Sequence, residues 1–304
     1  MTRRTDVSSK AKNHETAAER RPGVLYLVAT PIGNLDDIGL RALATLRQVD
    51  LIAAEDTRHS SVLLARHAIG TPMVSLHEHN ENRATDQLLD RLRAGSSIAL
   101  ISDAGTPLIS DPGLPLVGKA RAAGIRVSPI PGPCAAIAAL SAAGLAVDRF
   151  AFEGFLPRTS AQRLRLFESL RDESRTLIFF ESSHRIRAAV HDLATVFGNT
   201  RRLVIARELT KVYETIVEVP SDQPDRLFEN PDMLKGEFVL VLEGANARMG
   251  GHDELTAEQQ RILSLCLQQC SVKTAAKLAA EITGGRRELF YRAALAIGKP
   301  EPAA

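Results

Sequence analysis

From Val24 onward the chain repeats one unit, a short run of aliphatic and β-branched residues followed by a helical stretch. The units pair GVLYLVAT with LRALATLRQV, LIAAED with SVLLARHA, MVSLHE with NRATDQLLDRLRAG, SIALIS with LPLVGKARAAG, and RVSPI with PCAAIAALSAAGL. Strands alternating with helices must be joined by crossovers, and crossovers produce a mostly parallel sheet covered on both faces. Ligands of such sheets sit beyond the carboxyl ends of the strands. Each unusual stretch falls there: ATPIGN after the first strand, AEDTRHS after the second, SLHEHNEN after the third, SDAGTP after the fourth and IPGP after the fifth.

After Leu145 the spacing changes. FAFEGFLP, TLIFFES, RLVIARE, ETIVEV and GEFVLVLEG are strand-like, with helices at AQRLRLFESL and RIRAAVHDLATVF. We read a second α/β domain with a mixed sheet, its last two strands pairing as neighbours. A linker, GANARMGGHD, leads to three short amphipathic helices punctuated by Ser271 and Gly284-Gly285, a helix-turn-helix pattern. The expected boundaries are a disordered, polar tail at 1–22, an N-terminal α/β domain at 23–146, a C-terminal α/β domain at 147–246 and the helical module at 252–304.

Composition narrows the function classes. Of 304 residues, 44% are apolar and 24% charged, as in ordinary folded domains, and no stretch is apolar enough for a membrane span. Aromatics are 4% and Trp is absent, so a stacking platform for bare bases is not expected to dominate any nucleic-acid contact. The net charge of +2 means that a polyanion must be met by a local patch. Cys134, Cys266 and Cys270 are an odd number without zinc spacing, which points to reduced thiols in the cytoplasm, with Cys266 and Cys270 filling a helical core.

The densest loop is SDAGTPLISDPG, residues 102–113. Gly105 and Gly113 let main chain approach a ligand or take positive φ, and Pro107 and Pro112 stiffen it. Asp103 sits at the wrong end to cap the following helix and is free to accept hydrogen bonds from a ribose or amine. Asp111 is assigned as that helix's cap. In PIPGPCAA, Pro133 is expected in the first helical turn. ATPIGN holds no lysine and GxGxxG is absent, which disfavours a P-loop and classical dinucleotide binding; Asn34 is expected to cap the turn at Asp36.

Polar residues concentrate at the ends of strands two and three. Such a cluster can supply a general base, with Glu55, His77 and Glu78 as the candidates, a metal site or a cradle for a phosphate backbone; His77, Glu78 and His79 fit no zinc motif and no metal is expected. Arg58, Arg83, Arg158, Arg163 and Arg185, with Lys273, Lys277, Arg286, Arg287, Arg292 and Lys299 of the module, are suited to phosphates.

LYLVATPIGNLDDI, AEDTRHS, ALISDAGTPLISDPG, PIPGP, FEGFLPR, TLIFFES with HRI, ARELTKVYE and KGEFVLVLEG, in this order, resemble the tetrapyrrole methylase superfamily. Within it they resemble the branch of ribosomal RNA small-subunit methyltransferase I, which 2′-O-methylates a cytidine of 16S rRNA. Two departures are Cys134, where Ser is usual, and Ser183, where Pro commonly precedes His184. The resemblance implies two α/β domains, S-adenosylmethionine (SAM) in the cleft between them, a homodimer, and 16S rRNA or the small subunit as partner. It implies cofactor contacts at Pro31, Ile32, Gly33, Asp103, Gly105, Thr106, Ile109, Pro131, Gly132, Pro133, Cys134 and Ala135. Phe155, Leu156, Ala206, Gly236 and Glu237 would close the site from the second domain. Two rival readings are a small-molecule tetrapyrrole methyltransferase and a nucleic-acid-binding regulator for which SAM is only an effector.

Overall fold

The computed structural model describes residues 22–220, 224–245, 255 and 257–297. Residues 1–21 of the expected tail, 246–253 of the expected linker, and Lys299 lie outside them.

The first sheet contains β1 (Val24–Val28), β2 (Leu51–Ala54), β3 (Met73–Ser75), β4 (Ile98–Ile101) and β5 (Arg126–Ile130), all parallel, in the order β3-β2-β4-β1-β5. LIAA of β2 and IALI of β4 are buried at every residue because helices cover both faces. On one face α1 (Leu40–Gln48) and α2 (Thr57–Arg66) bring Leu46 and Leu63 against Ile52 and Ile101. On the other, α3 (Glu81–Arg93) and α4 (Leu114–Ala122) bring Leu88, Leu92 and Leu116 against Leu25 and Ile98.

Helix α5 (Ala135–Ala142) joins the two halves. Ala136, Ala139 and Leu140 pack on Ile178, Val204, Val239 and Val241 of the second sheet. The alanines keep this side of the helix flat, so strands can approach it closely. The helix starts later than the sequence implies: its N-cap is Cys134, and Pro133 precedes the cap.

The second sheet comprises β6 (Phe150–Phe155), β7 (Thr176–Ser182), β8 (Leu203–Arg207), β9 (Thr215–Glu218) and β10 (Glu237–Leu242), in the order β6-β7-β10-β8-β9. It is mixed: β6 and β7 are parallel and the other pairs antiparallel. The last two strands are not neighbours, which corrects the sequence reading. FVLVL of β10 is buried throughout and is inserted centrally between β7 and β8, whereas TIVE of β9 alternates with solvent and lies at the edge. Helices α6 (Ser160–Ser169) and α7 (Ile186–Phe197) cover this sheet through Phe167, Val190 and Leu193.

Residues up to Gly244 form one compact unit and those from Ala245 another. In the second, α8 (Ala257–Leu267), α9 (Val272–Thr283) and α10 (Arg287–Ile297) enclose Leu263, Ala275, Ala279, Phe290 and Ala294. Ser271 Oγ accepts from Thr274 N at 3.4 Å to cap α9, and Gly284, at φ +69°, ends it. Cys266 and Cys270 are half-buried at the border of this core.

Candidate cofactor cleft

The loops at the carboxyl edge of the first sheet are laced together by main chain. Thr30 N donates to Gly105 O at 2.9 Å and Gly105 N returns a bond to Thr30 O at 3.1 Å. Thr106 Oγ1 donates to Pro133 O at 3.0 Å, tying the loop after β4 to the loop after β5. Four residues of the β4 loop hold positive φ: Gly105 (+81°), Leu108 (+74°), Ser110 (+70°) and Gly113 (+121°). For Leu108 and Ser110 this conformation is costly, and such strain concentrates at functional loops.

The second sheet closes on the first at the same edge. Asn34 N donates to Thr210 Oγ1 at 3.0 Å, and a Cβ on Gly33 would lie 2.5 Å from Lys211 Cγ. Lys211 Nζ bonds both Glu208 Oε1 (2.9 Å) and Glu237 Oε2 (3.1 Å), while Glu208 N donates to Glu237 O at 3.0 Å. Gly236, at φ +97°, is enclosed so tightly that a Cβ would meet the Glu208 side chain at 2.5 Å.

Between these loops lies a cavity of about 380 Å³. Of the residues implied to hold a cofactor, Ile32, Gly105, Thr106, Ile109, Cys134, Ala135, Phe155, Ala206, Gly236 and Glu237 line it. Pro31, Gly33, Asp103, Pro131, Gly132, Pro133 and Leu156 do not; Gly132 passes so close to the end of β1 that a Cβ there would sit 3.0 Å from Ala29 Cβ. The cavity also takes Ala104, Ser110, Phe180, Glu181, Ser182, Leu209, Phe238 and Val239, which the sequence did not single out, and Asp111 and Ser183, which it singled out for other reasons. For Phe180 a signal existed: it shares a strand face with Ile178, which faces α5, and its ring meets Phe152 and Phe155 edge-on at centroid distances of 4.8 and 5.5 Å.

The carboxylates of the first sheet gather behind this cavity. Asp103 Oδ1 accepts from Asp56 N at 3.0 Å, so Asp103 fastens the end of β2 to the loop after β4. Its own N–H lies 3.4 Å from Glu55 Oε2. Burial pushes the Glu55 carboxyl above the ordinary range, aided by Asp103, Glu78 and Asp56 and opposed by the Asp103 N–H. Asp111 is not a helix cap, contrary to the sequence reading. The N-cap of α4 is Gly113, whose N–H is taken by Glu81 Oε1 at 2.7 Å. Asp111 turns instead to the cavity, where burial, with Glu55 and Asp103 adding to it, raises its carboxyl to about 6 against the opposing Ser102 hydroxyl. Among the described residues no three His, Cys, Asp or Glu side chains are arranged as a metal-ligand set.

Glu55, His77 and Glu78 flank this edge, and none lines the cavity. His77 is half-buried with its Nδ1 unpartnered, and Glu78 is exposed. Asn34 caps its turn as expected, accepting from Asp36 N at 3.1 Å.

The arginines divide by burial. Arg163 cannot meet a phosphate, which corrects its assignment to RNA: its side chain is 3% exposed, its Nη2 lies 2.7 Å from Asp192 Oδ2, and its Nη1 donates to the carbonyls of Pro157 and Arg158. Arg185 is held by Glu181 at 2.6 Å and is half-buried. Arg58, Arg83 and Arg158 are exposed. In the helical module Lys273, Lys277, Arg286, Arg287 and Arg292 are exposed, and the pairs Lys277–Glu281 (3.9 Å) and Arg286–Glu288 (4.0 Å) are long solvent-facing contacts that hold these cations weakly.

Two parallel-then-mixed α/β sheets closing on a glycine-lined cavity define a methylase class, and comparison bears on it directly. Residues 24–225 match the model of the tetrapyrrole (corrin/porphyrin) methylases, and residues 253–298 match the RsmI C-terminal HTH domain. Among solved structures, a diphthine synthase (TM-score 0.57, 17% identity, covering 73% of this chain and 90% of that one) shares the fold. So does a cobalt precorrin-4 methyltransferase (TM-score 0.53, 19% identity, 72% and 94%). The chain is 50% identical to the ribosomal RNA small subunit methyltransferase I of Haemophilus influenzae over 90% of its length and 97% of that protein. It is 52% identical to the protein of the same name from Pseudomonas aeruginosa, with the same coverage. The chain belongs to the tetrapyrrole methylase family and, within it, to the ribosomal RNA small subunit methyltransferase I group.

Proposed function

We propose that this protein transfers a methyl group from SAM to the ribose 2′-hydroxyl of a cytidine in 16S rRNA of the small ribosomal subunit. The observation that carries the reading is the cavity itself, in a chain whose relatives bear that enzyme's name. Its volume suits a folded small ligand. Ile32, Ile109, Phe180, Leu209 and Val239 offer an apolar bed for an adenine, and main chain at Gly105 and Gly236 can approach a ribose or carboxylate. Asp111 and the exposed Glu237, the latter shared with Lys211, give the lining an acidic character that suits a ligand carrying a sulfonium and an ammonium.

Bound there, SAM supplies an electrophilic methyl group. The protein's part is to orient, to exclude water and to handle a proton. Holding the acceptor oxygen in line with the methyl carbon is worth about 7 to 11 kcal/mol in favourable cases. The strained β4 loop and the Lys211 clasp fix both walls, so little ordering remains to be done on binding. A ribose hydroxyl is a poor nucleophile, so a nearby base contributes roughly 10² to 10⁴-fold. Glu55, His77 and Glu78 belong to the carboxylate-rich edge from which that base acts.

Exposed cations at Arg58, Arg83, Arg158 and in the helical module are assigned to rRNA phosphates. A homodimer, which the family resemblance implies, and the cytoplasm, to which the reduced thiols point, complete the reading; no helix among the described residues is long and apolar enough to cross a membrane. Labelled SAM incubated with small subunits, naked rRNA or a porphyrinogen precursor tests it. Label on a 16S ribose is expected; label on the porphyrinogen, or binding without transfer, overturns it.

A further inference from the structure

We propose that the ring of Phe155 stacks on the base of the acceptor nucleotide and holds it out of its own strand, so that the 2′-hydroxyl meets the methyl group; the inference rests on the methyltransferase reading above. A bulge carries it. β6 and β7 run in register from Phe150 opposite Thr176 to Phe152 opposite Ile178, then slip by one residue, so that Gly154 lies opposite Phe179. An unbroken register would set Phe155 beside Glu181, on the face where Phe179 meets Phe167 of α6. The extra residue, Glu153, sets it beside Phe180 instead, on the cavity face. Bulges near functional sites re-aim side chains in this way. Gly154 makes the slip with φ +74°, and a Cβ there would lie 4.0 Å from Ser110 Oγ, so the bulge abuts the strained β4 loop.

The ring stands at the mouth of the cavity. Ile32, Leu209, Phe238 and Val239 line the interior and are buried, whereas Ile109, at 38%, and Phe155, at 57%, are the large apolar lining residues left exposed. Ile109 belongs to the adenine bed; Phe155 is left for a second ligand. Its edge-on contact with Phe180 at 5.5 Å holds the ring while more than half of the residue stays open to solvent. The main chain that follows is fixed as well: Leu156 N donates to Phe180 O at 3.1 Å, and Arg163 Nη1 donates to the carbonyls of Pro157 and Arg158. Arg158, three residues beyond the ring, is exposed. An open aromatic ring and a cation on one fixed segment match an unpaired nucleotide, whose base offers a π-face and whose phosphate a charge. One ring suffices for one base, so the scarcity of aromatics in the chain is no obstacle.

The test uses the full-length protein with small subunits and labelled SAM in single turnovers, beside calorimetry with S-adenosylhomocysteine. Phe155→Ala is expected to be slower at saturating subunits by about 5- to 150-fold, the range of one lost base stack, with subunit and S-adenosylhomocysteine affinities within about threefold of the wild type. Phe155→Tyr is expected to keep the rate within about threefold, and Phe155→Leu, apolar but without a π-face, to lose as much as Phe155→Ala. A Phe155→Leu protein as fast as the wild type overturns the inference, since bulk alone would then serve. So does S-adenosylhomocysteine affinity that falls in step with the rate, which would make the ring an adenine contact, or a loss confined to subunit affinity, which would make it a general RNA contact. A changed oligomeric state in sedimentation overturns it too, by assigning the ring to a contact between subunits. Should Phe155→Ala not fold, the comparison of Phe155→Leu with Phe155→Tyr decides alone. If the wild type labels no 16S ribose, the proposed function falls and takes this inference with it; if it labels the ribose and Phe155→Ala is as fast, the function stands and the stacking role falls.

Discussion

Asp103 Oδ1 accepts the Asp56 amide at 3.0 Å, so one side chain beyond β4 fixes the first residue after the Glu55 bend. The bond couples two loops that lie 47 positions apart in the chain. Asp103→Ala leaves that amide without its partner, at a cost of about 1–3 kcal/mol, and releases the loop that carries Gly105 and Asp111. SAM affinity measured by calorimetry is expected to fall about tenfold, while Asp103→Asn, which keeps an acceptor oxygen, stays near wild type. Equal effects of the two substitutions would remove Asp103 from this role.

Gly236→Ala tests the second wall. The residue holds φ +97°, and the added methyl would meet Glu208 at 2.5 Å, disturbing the carboxylate that binds Lys211. The left-handed conformation alone costs roughly 1–2 kcal/mol in a residue with a Cβ. Thermal unfolding is expected to begin earlier and SAM binding to weaken; unchanged affinity would mean that this turn does not shape the cavity.

Arg163 and Asp192 form a buried ion pair, so removing one partner leaves the other charge stranded. Arg163→Ala is expected to destabilise the protein by about 3–5 kcal/mol and lower Tm by roughly 10 °C. Arg158→Ala, at an exposed position, is expected to leave Tm unchanged and to weaken RNA binding. Scanning calorimetry and filter binding separate the two outcomes.

Glu55 gives a pH-dependent prediction with a defined sign. Its carboxyl is raised in the folded state by burial. Its contribution to stability is therefore full below the unfolded pKa and is lost as pH rises through the folded value. Glu55→Gln is expected to have a higher Tm than wild type at pH 8, with the difference vanishing at pH 3.5 to 4. A constant difference across that range would show that the charge is not the cause.

Removing the helical module after Ala245 is expected to weaken RNA binding while leaving SAM affinity within about twofold, because the cavity lies wholly in the first unit. In the intact protein, Lys273→Ala is expected to reduce the slope of log affinity against log salt by roughly 0.9 if that side chain meets one phosphate of a duplex, and by roughly 0.7 on a single strand. Equal losses of RNA and SAM binding on truncation would contradict the separation of roles.

Local chemistry was enough for much of this molecule. The alternation of apolar runs with amphipathic stretches specifies both α/β halves, since periodicity is a property of neighbours in the chain. The glycines and prolines of SDAGTPLISDPG mark a loop that a simple connection does not need, and ten of the residues the family motifs point to line one cavity. What depended on tertiary structure was every choice between partners distant in sequence. β10 sits between β7 and β8 because its unbroken apolar run needs cover from both faces, a competition among strands that no window of sequence contains. Arg163 looks like a phosphate ligand until Asp192, 29 positions away, claims it. Asp111 has the spacing of a cap, yet α4 starts from Gly113 with no side-chain cap and Asp111 lines the cavity instead. The chain's local pattern sets which backbone forms; burial and long-range pairing decide which of its charges remain available for chemistry.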